Sequence, residues 1–335
     1  MKILWHLPSN NSTNADIYIC NNYRMAFEDM GHQFRVLEHY GKPKDAFKSF
    51  KPDIFITNTM QPYIDYLKPY LKWIKKFCEN YNVKRLAWTE PLIYNGKKVI
   101  YGEKEKLIED NMLADAFFGY WESEYMKQWE EKFGYRYTQI MLAANKFYSN
   151  GNCRTNMKHD IFFNGAYLRE KRKLFKQLLL PLRKKYDLLI IGKRWTFRER
   201  FADWIANKTG LWILSSYYEP VPEKMISDFY TSSKISPNIH LEGQQKEGVD
   251  LNERTFKIPC AGGFEICDWN KALRKHFTKN EIVMAENKKD WFEKIDYFMQ
   301  PENEDERKRI ILRGQKKVLR EHTYHNRVKK ILNLR

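Results

Sequence analysis

This chain has no long apolar run, no paired-cysteine spacing and no complete nucleotide-binding loop, and each absence removes a class of protein. Nothing approaches the roughly 18 consecutive apolar residues that a membrane span needs. The opening MKILWHLPSN is too short in its apolar stretch for a secretory leader and reads as a first β-strand. The five cysteines (Cys20, Cys78, Cys153, Cys260 and Cys267) are odd in number and never spaced CxxC, so neither a disulfide framework nor a zinc site is expected. Reduced thiols and a cytoplasmic location follow as the expectation, with peripheral attachment to a membrane as an option. Residues 8–14, after the first strand, contain no glycine, which excludes the GxGxxG turn of nicotinamide and flavin enzymes. GxxxxGK[ST] is absent as well, which excludes a P-loop nucleotidase. No D-x-D occurs, so no metal is expected to hold an anionic substrate through such a pair. His322 and His325 flank the last helix and read as a packing or solvent-facing pair.

What is present is a soluble-type composition with a strong basic bias. Hydrophobic residues make up 43% and charged ones 30%, which fits packed cores, and 335 residues suffice for two domains. The net charge of +17 predicts attraction to polyanions: nucleic acid, an anionic membrane surface or an acidic glycopolymer. One diphosphate group needs two or three cations, so the surplus points either to an acidic or membrane-associated acceptor or to compositional bias of the genome. Charge alone does not choose.

Strand-like and helix-like segments alternate from end to end. Strands are expected at 2–7, 33–38, 53–58, 85–89, 116–120 and 139–143, with helices at 15–30 and 63–79 between them. Residues 145–158 are polar and aperiodic and read as a linker. Strands then resume at 160–164, 188–192, 211–215, 235–240, 264–267 and 282–285, and helices close the chain at 291–299, 304–320 and 323–332. Such alternation predicts parallel strands joined by right-handed crossovers, hence an α/β chain of two doubly wound, Rossmann-like domains. The domains expected are 1–150, 151–318 and a C-terminal helical piece, 319–335, that packs back on the first.

The segment 236–268 carries the most chemistry. Asp250 followed by Glu253 reads as a capping box opening a helix over 250–260, next to Gly248. Free N–H groups at such a helix start, with Arg254 one turn in, suit a phosphate. Two further strand tips end in glycine followed by basic residues: Gly165 with Arg169, Lys171, Arg172 and Lys173, and Gly192 with Lys193 and Arg194. Tips of neighbouring strands are where open α/β sheets bind ligands. A solvated basic helix face is the plainer account of any one of these cations.

Arg254-Thr255-Phe256, Cys260-Ala261-Gly262-Gly263-Phe264 and Asp268 together resemble the donor-site segment of the CgeB-type (spore maturation protein-like) glycosyltransferase family, part of the GT-B group. Phe163-Asn164-Gly165, the Tyr230 to His240 stretch, Trp88-Thr89-Glu90-Pro91 and Arg320-Glu321-His322-Thr323-Tyr324 are similar to further family segments, so the likeness spans about 85–330. The resemblance implies a GT-B fold, with two domains facing a cleft and C-terminal helices closing it. It also implies transfer of a sugar from a nucleoside-diphosphate sugar, a UDP-sugar by expectation, to a glycan, glycopolymer or protein. It implies no separate cofactor and leans towards retention of configuration. The donor-binding residues expected are Gly165, Arg169, Arg172, Lys193, Asn238, Gly248, Asn252, Arg254, Thr255 and Lys257. One of Arg169 or Arg172 joins Arg254 on the leaving diphosphate. Glu90 and Asp16 are the carboxylates offered as a base or acceptor-positioning group on the first domain.

Lys257 departs from the family pattern, which has a glutamate there that accepts from the donor ribose. An ammonium has three donors and no acceptor, so it cannot take that part. It could reach a phosphate, accompany a different donor, or mark a site that binds without turnover. Two other functions therefore stay open: a nucleic-acid-associated protein or DNA-base glycosyltransferase, and a silent sugar-nucleotide or glycan-binding module.

Overall fold

The computed structural model describes residues 1–7, 14–38, 41–94, 97–209 and 221–334. The chain divides into two compact units, 1–145 together with 324–335, and 146–323.

The first unit is a six-stranded parallel sheet. Its strands are β1 (Lys2–Leu7), β2 (Gln33–Glu38), β3 (Ile54–Asn58), β4 (Lys84–Trp88), β5 (Ala116–Gly119) and β6 (Tyr137–Gln139), in the order β2-β1-β3-β4-β5-β6. Burial follows position: β1 is covered along its middle, whereas edge strand β2 alternates exposed residues with half-buried ones and the buried Leu37. Helices α1 (Asn14–Asp29), α2 (Pro43–Phe50), α3 (Gln61–Leu67), α4 (Leu71–Tyr81), α5 (Glu103–Glu109) and α6 (Ser123–Phe133) make the crossovers. The single helix expected over 63–79 is two, because Pro69 has no N–H to donate and a 3₁₀ turn, Lys68–Tyr70, takes its place. The strand expected at 139–143 ends at Gln139. Beyond it the carbonyls of Met141 and Leu142 accept from Arg327 Nε (2.8 Å) and Nη2 (3.0 Å) rather than from a neighbouring strand.

The second unit carries β7 (Ile161–Asn164), β8 (Leu188–Ile191), β9 (Ser236–Asn238), β10 (Glu265–Cys267) and β11 (Val283–Met284). β8 pairs with β7, and β9, β10 and β11 pair in sequence, all parallel. A parallel bridge between Ile161 and Ile235 joins the two ladders, giving the order β8-β7-β9-β10-β11. The chain therefore moves one way from β7 to β8 and the other way from β9 onward. That reversal between β7 and β9 is a topological switch point, which opens a crevice at the strands' carboxyl ends. The strand expected at 211–215 lies outside the described residues.

A helical run over 169–184 follows β7 and buries Leu174, Phe175, Leu178, Leu179 and Leu182 against the sheet. Further helices are α7 (Phe197–Thr209), α8 (Glu223–Ser232), α9 (Glu242–Glu247), α10 (Arg254–Cys260), α11 (Lys288–Met299) and α12 (Glu304–Glu321), with a single turn at Leu273–His276. The aperiodic stretch 145–158 is strapped to α8 rather than hanging as a tether. Ser227 Oγ donates to the Tyr148 carbonyl (2.6 Å), and the Asn152 and Arg154 amides donate to Asp228 Oδ1 (2.8 Å) and Ser232 Oγ (2.9 Å). After α12 the chain returns to the first unit as α13 (Tyr324–Leu332), whose Tyr324, Val328 and Ile331 enter that unit's core beside Tyr23 of α1.

Candidate active site

The switch point is built from two glycine tips. Gly192 sits at φ 153°, and a Cβ on it would lie 2.1 Å from the Gly165 carbonyl oxygen. A Cβ on Gly165 would lie 2.4 Å from Arg254 Nη1. Gly192 therefore needs glycine and Gly165 has room for a side chain only if Arg254 moves, so the space is used by the chain itself. The Gly165 amide donates to the Ile191 carbonyl (2.9 Å), and Trp195 Nε1 donates to the Gly165 carbonyl (2.7 Å). Gly165 admits an arginine rather than opening a bare phosphate cradle.

That arginine is the centre of the site. Arg254 donates through Nη1 to the Asn164 carbonyl (2.9 Å), through Nη2 to the Ile239 carbonyl (3.1 Å) and through Nε to Asn238 Oδ1 (3.2 Å). Its guanidinium lies 5.0 Å from the Phe163 ring centre. Lys171 reaches the same point from the helical run, donating to the Ile239 carbonyl at 2.6 Å from a side chain only 5% exposed. Neither cation has a carboxylate within ion-pair distance among the described residues. Burial pushes the Lys171 ammonium down to about 7, helped by the charge of Arg254 and opposed by Asp268 and Asp250. Burial also lowers Arg254. Two cations sharing one neutral acceptor, one of them buried, are costly unless further partners compensate them.

Around this pair lies a polar network. Asn238 Nδ2 donates to Thr255 Oγ1 (3.0 Å) and Glu265 Oε1 (2.7 Å), while its Oδ1 accepts from Arg254 and from Asn252 Nδ2 (2.9 Å). The amide is thus fully used, and it fixes the angle of Arg254. Burial raises the Glu265 carboxyl to about 8, against the Asn238 hydrogen bond and Arg254, so it is mostly a neutral acid near pH 7. His240 shares a proton with Asp268 across 2.7 Å, and Asp268 also accepts from Gln245 Nε2 (2.6 Å). Burial lowers the His240 imidazole in spite of Asp268. His240, Cys267 and Asp268 put three potential metal-binding atoms within 4.8 Å. The imidazole and carboxylate stand at hydrogen-bond separation, which leaves no room for an ion between them.

The sequence-derived candidates divide accordingly. Asn238, Asn252, Arg254 and Thr255 come together, with Asn238 and Thr255 fully buried as supports. Arg169 and Arg172 are exposed, and Lys171 between them turns inward to the Ile239 carbonyl that Arg254 also reaches. The signal was the charge run itself; which of its members faces the sheet was not visible. Lys193 is half-buried, and its carbonyl accepts from the Tyr167 amide (2.8 Å). Gly248 closes α9 in the left-handed region at φ 64°.

The capping box is also corrected. Helix α10 begins at Arg254 with no side-chain cap, because Asp250 accepts from Gln244 Nε2 (3.0 Å) and Glu253 turns to Lys257. A seven-residue helix containing Pro259 offers little dipole, so the charge at this site is carried by side chains. Lys257 lies 3.1 Å from Glu253 and 3.5 Å from Glu223, over the Tyr148 ring. Those two carboxylates outweigh its burial and raise its ammonium above the usual lysine range. It belongs to this ion cluster, not to the Asn238–Arg254 network. In the first unit, Glu90 pairs with the buried Lys104 at 2.5 Å, and Asp16 stands in the first turn of α1, near Cys20 and Tyr63.

Residues 169–333 match the family model described as glycosyl transferase-like. That stretch resembles a glycosyl transferase-like domain. No curated protein matches the chain significantly. Among solved structures, a sucrose-phosphate synthase from Thermosynechococcus elongatus is similar over 99% of this chain and 97% of its own, with TM-score 0.65 and 11% identity. HepE of Anabaena in complex with UDP and glucose is similar over 99% of both chains, with TM-score 0.60 and 7% identity. An alpha-glucosyltransferase in complex with UDP and a 13-mer DNA is similar over 99% of both, with TM-score 0.63 and 12% identity. The chain has the GT-B fold of the glycosyltransferases. Within the matched stretch, the Arg254–Lys171 pair lies at the switch point of the sheet.

Proposed function

We propose that this chain is a glycosyltransferase of CgeB-like type that binds a UDP-sugar in its second unit and transfers the sugar to an acceptor hydroxyl. The observation that carries the reading is the convergence of the buried Lys171 and the half-buried Arg254, neither in a direct ion pair, on the Ile239 carbonyl. Their task is to bind the diphosphate and stabilise it as it leaves, when its negative charge grows. Side-chain cations suffice for this, in keeping with the missing D-x-D and a metal-independent reaction. Asn238 and the neutral Glu265 hold Arg254 in place. Retention of configuration is the outcome proposed, with the departing phosphate taking the acceptor proton; Glu90 and Asp16 are then positioning groups at most. The acceptor proposed is a glycan, glycopolymer or protein of acidic or membrane-associated character, to which a +17 chain is drawn.

Titration calorimetry with UDP and UDP-glucose tests the donor site. Binding is expected in the wild type and a loss of at least about tenfold in Arg254→Ala and in Lys171→Met. Unchanged affinity in both variants defeats the assignment, and binding without any turnover of a sugar nucleotide defeats the transferase.

A second reading, a DNA-base glycosyltransferase, draws on the similarity to the alpha-glucosyltransferase solved with DNA and on the basic charge. It requires duplex binding that weakens steeply with salt and sugar transfer that depends on DNA.

A further inference from the structure

Helix α7 presents an aromatic ladder to solvent. Phe197, Phe201 and Trp204, spaced to fall on one helix face, are 73%, 48% and 57% exposed. Their rings stack along the helix, with centroids 6.0 and 5.9 Å apart and interplanar angles of 13° and 20°. Three large apolar side chains side by side in water are unusual for a surface helix and mark a contact surface.

The surroundings of the ladder are basic. Arg194 and Arg198 are exposed next to Phe197, and Lys208 is exposed in the last turn. Arg200 is exposed on the same side and pinned, donating to the Arg194 (3.1 Å) and Trp195 (2.9 Å) carbonyls over the Tyr167 ring. Glu199 is drawn back to the helix start, where it accepts from the Thr196 amide (2.9 Å) and hydroxyl (2.8 Å) in a reciprocal cap. Its charge is spent on the helix start, while arginines flank the stripe.

We infer that α7 is a membrane-contact helix, which lays Phe197, Phe201 and Trp204 into the interface of an anionic lipid surface while Arg194, Arg198 and Lys208 meet the headgroups. An apolar stripe flanked by basic residues is the pattern of helices that lie in the plane of a membrane. Nucleic acid fits less well: Phe201 stands between Phe197 and Trp204, so only the two outer ring faces of the row are left for a base to stack on. The surface lies outside the Lys171–Arg254 network and does not depend on the donor-site reading.

Vesicle co-sedimentation of the full chain tests this. The wild type is expected to sediment with vesicles of equimolar phosphatidylcholine and phosphatidylglycerol and to stay in solution with phosphatidylcholine alone. Replacing Phe197, Phe201 and Trp204 together by serine lowers anionic-vesicle binding by at least about tenfold, because each ring removes buried apolar area. The single variants Trp204→Ser and Arg198→Glu each weaken it by a smaller factor with an unchanged melting curve, which separates lost contact from lost fold. Arg254→Ala binds vesicles as the wild type does. Equal sedimentation of wild type and triple variant overturns the inference. So does loss of duplex-DNA retention or of self-association in the triple variant while its vesicle binding is unchanged; the stripe then belongs to nucleic acid or to a second copy of the chain.

Discussion

Lys171 and Arg254 donate to the same acceptor, the carbonyl oxygen of Ile239, at 2.6 and 3.1 Å. One comes from the helical run after β7 and the other from α10, so their meeting depends on the sheet order at the switch point. Each of the following consequences is measurable.

Donor affinity should depend on pH through Lys171. Its ammonium is lowered to about 7 in the unliganded protein, so it loses its proton as pH rises through neutrality. A bound diphosphate favours the charged form, and binding then takes up a proton. Affinity for UDP-glucose is expected to fall above pH 7 by up to about tenfold per pH unit. Calorimetry in buffers of different ionisation enthalpy reads the proton directly. In Lys171→Met the pH dependence disappears; a wild-type affinity flat from pH 6 to 9 refutes the coupling.

The stability-versus-pH profile should carry the signature of Glu265. Its carboxyl is raised to about 8 in the folded chain against an ordinary value of 4.5. Between those values the native state holds a proton that the unfolded state has released, so this group's contribution is full below pH 4.5 and fades as pH rises towards 8. Glu265→Gln keeps the shape and the acceptor for Asn238 while removing the titration. The variant is expected to gain stability relative to wild type as pH goes from 5 to 8, read by urea unfolding. A constant difference over that range means Glu265 does not titrate as described.

Lys257→Glu restores the residue type of the family pattern but places a third carboxylate beside Glu253 and Glu223. Loss of the buried cation and repulsion among the acids should destabilise the fold by about 3–5 kcal/mol. Lys257→Met should cost less and leave UDP affinity within about threefold, since the ammonium is not in the Arg254 network. A loss of tenfold or more in the methionine variant, with normal folding, puts Lys257 on the donor.

Gly192→Ala and Gly165→Ala separate fold from site. At Gly192 a methyl group meets the Gly165 backbone at 2.1 Å and the φ of 153° is strained for any side chain, so unfolding is expected to be easier by about 3 kcal/mol or more. At Gly165 the methyl group meets a side-chain nitrogen of Arg254, which can move. That variant should stay folded and lose UDP affinity. Denaturant titrations beside binding curves distinguish the two, and unchanged affinity in Gly165→Ala contradicts the placement of Arg254.

The alternation of segments was enough to predict two α/β layers, and β1 and β2 fall on the residues expected from it. Buried strands and amphipathic helices follow local periodicity, which neighbouring residues set by themselves. One boundary failed where a distant group intervened, Arg327 capturing the carbonyls after β6, and another at a local signal, Pro69, which interrupts the helix over 61–81. The Asp250–Glu253 spacing matched a cap in sequence, yet Gln244 and Lys257 compete for those carboxylates and win.

Fold class was legible in the residue pattern, and the pattern singled out Gly165, Gly192 and Arg254, since close approach favours glycine and a permanent charge suits an anion. Only the tertiary structure decided that Lys171, not Arg169 or Arg172, joins Arg254, and that Lys257 turns to Glu253 and Glu223. Three neighbouring cations on one helical run are chemically alike. Which of them loses its water depends on the packing of that run against β9, and that packing involves residues some seventy positions away.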